Sequence, residues 1–87
     1  MEPAYPNPFN GSAVVEYVAP QGSLVEIQVM NCLGQVVTSA AKLGTGQRDR
    51  FRWSGSLADG RPASSGTYIV RMKSAMSVQT QKLLFIK

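Results

Sequence analysis

Histidine is absent from the 87 residues, and cysteine occurs once, at Cys32. The first absence removes the commonest general base and metal ligand, with every Ser-His or Cys-His pairing. The second leaves no internal disulfide and no thiolate zinc site. Acids are scarce, five Asp and Glu against nine Lys and Arg, for a formal net charge of +4. Paired-carboxylate catalysis needs two acids in one cleft. Glu16 and Glu26 instead fall on separate alternating segments, each on the side away from the apolar residues. Long apolar runs are missing too: the longest, such as Leu83-Leu84-Phe85-Ile86, hold four residues, against the ~20 that span a bilayer. Residues 1–15 lack the basic start and apolar run of a signal peptide. No stretch repeats apolar residues at helical spacing for three turns. These absences predict no catalytic residue, no metal site, no cofactor and no enzyme.

What remains has a globular composition, 44% hydrophobic and 16% charged. The length allows one domain with one modest core. Residues 1–11 form a proline-rich, extended lead-in around Pro6, Asn7 and Pro8, because proline fixes its own φ and extends its predecessor. Asn10-Gly11-Ser12 matches a glycosylation sequon but reads as a turn. Met1-Glu2 reads as an initiator joined to a fragment, so residues 1–87 are expected to be one domain cut from a longer protein.

From residue 12 onward the apolar residues alternate. Val15, Tyr17 and Ala19 flank Glu16, and Val25, Ile27 and Val29 flank Glu26 and Gln28. Period two is the mark of a half-buried strand. Leu33-Gly34 breaks the chain, residues 35–39 read as a short strand, and residues 40–47 as a loop. Arg48 to Trp53 alternate again, residues 54–66 are a long turn region, and residues 67–73 and 77–86 read as strands. Strands at this spacing with turns between them predict an all-β, antiparallel sandwich. Trp53 and Tyr68 are its natural centre, with the Tyr68 hydroxyl reaching a polar edge. Gly34 and Gly66 are expected to permit a positive φ or a close backbone approach, and Asn31 to cap a turn through its side-chain oxygen. Cys32 either packs as a small hydrophobe or lies in that turn. Gly44-Thr45-Gly46 has no helix after it and so makes no phosphate loop.

One feature has electrostatic content. Arg48, Arg50 and Arg52 share one strand face, about 6.8 Å apart, while Asp49, Phe51 and Trp53 share the other. The arginines either protect an exposed strand by charge or dock to an anionic surface or acidic partner. Aromatics are not interleaved on that face, which argues against nucleic acid.

Six short motifs follow one another: Tyr5-Pro6-Asn7-Pro8-Phe9-Asn10, Asn31-Cys32-Leu33-Gly34-Gln35, Trp53-Ser54-Gly55, Gly60-Arg61-Pro62, Ser65-Gly66-Thr67-Tyr68 and Lys82-Leu83-Leu84-Phe85-Ile86-Lys87. In that order the chain resembles the C-terminal sorting domain of type IX secretion cargo, an immunoglobulin-like fold related to that of flagellar hook-capping proteins. The resemblance implies a sandwich of about seven strands at the end of a secreted protein. It also implies recognition by an outer-membrane translocon after passage through the periplasm. In many cargos a sortase-like peptidase then removes the domain and attaches the N-terminal passenger to the cell surface. Matching positions are Pro6, Asn7, Pro8, Gly34, Gly66, Tyr68, Lys82 and Lys87. Ser54 stands where the family usually has aspartate, and Leu57 where it often has an acid.

The expected contacts to the translocon are Lys82 and Lys87, with Arg48, Arg50 and Arg52 as further candidates. The last strand, after a soft turn at Ser74-Ala75, is expected to exchange between copies as a swapped dimer. The competing reading is a structural spacer or carbohydrate-binding sandwich of an extracellular enzyme. A spacer would tolerate residues after position 87, whereas a sorting signal should end at or near Lys87.

Overall fold

A computed structural model describes residues 11–75 and 77–86. Pro6, Asn7, Pro8, Asn10 and Lys87 therefore lie outside the described residues. Six strands follow in order: β1 (Ala13–Val18), β2 (Leu24–Asn31), β3 (Val36–Leu43), β4 (Arg48–Trp53), β5 (Gly66–Lys73) and β6 (Val78–Phe85). There is no helix among the described residues. The strands form a two-stranded sheet, β1-β4, and a four-stranded sheet, β3-β2-β5-β6, with every pairing antiparallel. The all-β sandwich is thus the observed class, with six described strands where about seven were expected.

The alternation decides which face is buried. Val25, Ile27 and Val29 on β2 and Val70 and Met72 on β5 point inward, none more than 6% exposed. From the small sheet, Ala13, Val15, Tyr17, Phe51 and Trp53 meet them. Burying apolar area at about 25 cal/mol per Å² is what holds two sheets face to face. Val14 is also buried although it points to the other side of β1, so that strand is apolar on both faces at its start.

Two elements differ from the sequence reading. Residues 40–43 are strand rather than loop: Ala40, Ala41, Lys42 and Leu43 pair with Ile27, Glu26, Val25 and Leu24. Alanine and lysine are weak strand formers alone, but a neighbouring strand supplies the ladder that decides the matter. A register shift between Val29 and Met30 sets Val29 opposite Thr38 and Met30 opposite Val36. Val37 is the extra residue of this bulge. It packs against the core, and its carbonyl accepts the N–H of Ala58 at 2.8 Å.

The two ends of the sandwich are closed differently. At one end Trp53, Tyr68 and Phe85 cluster, with ring centroids 4.8 Å apart for Trp53–Tyr68, 6.0 Å for Trp53–Phe85 and 6.5 Å for Tyr68–Phe85. Tilted and edge-on aromatic pairs each contribute roughly 0.5–1.5 kcal/mol beyond burial. At the other end two turns are laced by backbone. The N–H of Gly22 donates to the Gly44 carbonyl (2.9 Å), Gly44 N–H to Ser23 (2.7 Å) and Gly46 N–H to Ala19 (2.9 Å).

Candidate recognition surface

The turn after β2 is organised by one side chain. The Asn31 carboxamide oxygen accepts the N–H of Leu33 at 2.9 Å and of Gln35 at 3.0 Å, and its amide donates to Gln35 Oε1 at 2.9 Å. This is the Asx geometry that turns a chain in few residues. Gly34, at φ 83°, completes it, and Cys32 lies exposed in the turn.

Residues 54–65 wrap the aromatic cluster instead of hanging free. Trp53 Nε1–H donates to the Ser56 carbonyl (2.9 Å), and the Tyr68 hydroxyl to the Ser64 carbonyl (2.6 Å). Trp53 and Tyr68 are 3% and 5% exposed, so both rings keep their polar atom satisfied inside the fold. Gly55 sits under Phe85: a Cβ there would lie 2.7 Å from the ring, and its φ is 75°. The sequence reading did not single out Gly55, because nothing local shows that an aromatic thirty positions onward closes over it. Where the sorting-domain pattern favours acids, Ser54 Oγ lies 3.2 Å from Ser56 Oγ and Leu57 packs against the core. The carboxylate of this loop comes from Asp59, which accepts Arg61 N–H at 3.0 Å and Arg61 Nε–H at 2.6 Å. Between the Asn31 turn and residues 62–68 lies an open groove of about 400 Å³.

On β6 the inner side chains Leu83 and Phe85 are buried, whereas Lys82 and Leu84 face outward and are exposed. The register sets Lys82 beside Ile69, and Leu84 beside Thr67. Ile86, just beyond the strand, is 49% exposed. Lys82 and Leu84 on the last strand, and Ile86 just after it, are therefore exposed at the aromatic end of the molecule.

The three arginines of β4 are exposed on the outer face of the small sheet. Across from them on β1 stand Val18 (opposite Arg48), Glu16 (opposite Arg50) and Val14 (opposite Arg52). Glu16 departs from the solvated position expected of it. Its side chain is only 16% exposed, and it pairs diagonally with Arg48 at 3.6 Å. Asp49 points the other way, accepting from the Tyr17 hydroxyl at 3.4 Å and from Arg50 N–H at 2.8 Å. Burial raises the Tyr17 pKa above its ordinary value, and the Asp49 charge and hydrogen bond push in the same direction. The structure thus keeps the arginine row and the Lys82 row on different sheets. No group of three His, Cys, Asp or Glu side chains comes together as a metal site among the described residues.

The family model for the secretion-system C-terminal sorting domain matches residues 3–87. Two solved structures from Porphyromonas gingivalis share the fold. One is PorZ, a surface component of the type IX secretion system, at TM-score 0.70 and 18% identity over 97% of this chain. The other is dimeric latent PorU, at TM-score 0.71 and 19% identity over 95%. This chain spans 11% of the PorZ chain and 9% of the PorU chain. No curated protein matches it.

Proposed function

We propose a function on one premise: this chain belongs to the secretion-system C-terminal sorting domains of type IX export. The domain serves as a non-catalytic address. It directs a passenger joined at its N-terminal side to the cell surface or beyond, by way of the periplasm and an outer-membrane translocon. A sortase-like peptidase is the proposed partner that removes it on surface attachment. The observation that carries this reading is the outward row of β6. Lys82 and Leu84 project from a strand whose inner side chains, Leu83 and Phe85, belong to the core, and Ile86 is exposed just after it. A reader can contact that row without unfolding the sandwich. Lys87 is proposed to act with Lys82, and Pro6, Asn7, Pro8, Gly34 and Gly66 to shape the domain that presents them.

The test is export of a fused reporter in a type IX-competent host. Deleting residues 82–87 should abolish secretion, but it also removes Leu83 and Phe85 from the core. The paired change Lys82→Ala with Lys87→Ala separates the two effects, since exposed lysines contribute only a fraction of a kcal/mol to stability. Lower export at an unchanged melting temperature supports recognition. Normal export of that variant removes the lysines from the site, and normal export of the deletion as well favours a spacer module. A sugar-binding role is poorly served here: the described aromatics Tyr17, Phe51, Trp53, Tyr68 and Phe85 are all buried. Exchange of β6 between copies is a further proposal, checked by sedimentation at high protein concentration.

A further inference from the structure

We propose that the outer face of the β1-β4 sheet docks on an anionic lipid bilayer, independently of the β6 row. Arg48, Arg50 and Arg52 take three of six positions of β4, all exposed on one face. The described acid on that face is Glu16, and Arg48 engages it at 3.6 Å. Arg50 and Arg52 have no ion pair among the described residues. The Lys42 ammonium reaches β4 from the inner side of β3, opposite Val25, and donates to the Arg50 carbonyl at 3.0 Å. Asp49 lies on the inner side, held by Tyr17, and does not neutralise the row.

Guanidiniums recurring about 6.8 Å apart along a strand form a row of planar forks suited to phosphate. Arginine clusters also read acidic peptide motifs, so the choice of a bilayer rests on what else this face carries. The arginine face also carries Val18, opposite Arg48 and 66% exposed, an apolar residue among cations. A pleated face of cations with an exposed valine matches a surface of phosphate headgroups over acyl chains. The outer face of the other sheet differs, since there Glu26 sits opposite Lys73.

The test is flotation of the 87-residue chain with phosphatidylcholine vesicles, with and without phosphatidylglycerol. The chain should float only with the anionic vesicles and be released by salt. Each basic residue near such a surface strengthens partitioning by about five-fold. Arg50→Gln with Arg52→Gln should therefore weaken partitioning by about thirty-fold. The control Arg71→Gln with Lys73→Gln removes the same charge from the other sheet and should weaken it by only a few-fold. Emission from buried Trp53 verifies that each variant is folded. Equal losses from both pairs would mean that net charge alone is responsible, and would overturn the proposal. So would flotation without preference for phosphatidylglycerol. Arginine-dependent binding to a polyglutamate peptide, with none to vesicles, would assign the face to an acidic polypeptide instead.

Discussion

The two ends of this sandwich solve one problem by different means. At the β2–β3 turn end, large rings fill the space between sheets, and their polar atoms are tied to the backbone of residues 54–65. At the opposite end the closing groups are small: Ala19, Gly22, Ser23, Gly44 and Gly46, joined through main-chain bonds. The first arrangement depends on side-chain volume and the second on its absence. An aromatic end resists truncation poorly, because a deleted ring leaves a cavity. A laced end resists enlargement poorly at Gly44, where an added methyl group would meet the Pro20 carbonyl.

Substitutions at each end test that contrast. The largest effect is expected from Trp53→Ala, roughly 3–5 kcal/mol, a large share of the ~5–15 kcal/mol available to a small domain. Chemical denaturation measures it, and an unchanged midpoint would show that the ring does not support the core. Next comes Gly44→Ala. The added Cβ would collide with the Pro20 carbonyl oxygen and lie 2.8 Å from Ser23 Oγ, so a loss of about 1–3 kcal/mol is expected. A thermal midpoint equal to that of the parent would show that the laced end yields freely. Asn31→Ala removes the acceptor of two N–H groups in an exposed turn, and water replaces it there. About 0.5–1.5 kcal/mol should be lost, with near-parental stability for Asn31→Asp, which keeps the acceptor.

The smallest effect is electrostatic and confined to alkaline solution. The Tyr17 hydroxyl has a pKa raised above its ordinary value, so the folded state keeps a proton that the unfolded chain has released. Its contribution is present below the unfolded value of about 10 and declines as pH rises towards the folded one. Tyr17→Phe should therefore flatten the fall in stability above that point. Denaturation curves across the alkaline range, parent against variant, would expose an identical slope if Tyr17 were uninvolved.

The contrast also explains what the sequence made legible. Alternation around Val25, Ile27 and Val29, and around Phe51 and Trp53, is local and chemically loud, so strands and inward faces could be read directly. Asn31 and Gly34 announce a turn by residue type. The laced end has no such signal. Residues 40–43 look like loop because alanine and lysine carry little strand preference, and only the partner β2 makes them strand. The bulge at Val37 and the fit of Gly55 under Phe85 depend on pairings between distant residues. The arginine row was legible as a row, but its separation from Lys82 onto another sheet required the topology. So did the pairing of Glu16 with Arg48.

The strand order has a consequence in time as well as in space. β2 and β3, like β5 and β6, are neighbours in sequence and can pair as hairpins within microseconds. The β1-β4 sheet encloses the whole β2-β3 hairpin, so its formation carries the entropy of closing that long loop. Closure is easier once the enclosed hairpin has shortened the chain. The expected order is the two hairpins first, then the long-range pairings β1-β4 and β2-β5. Pulse-labelled hydrogen exchange would contradict this order if β1 and β4 gained protection first. The strand pair that carries the arginines is then the clasp of the molecule. Its release uncovers the apolar side of the four-stranded sheet.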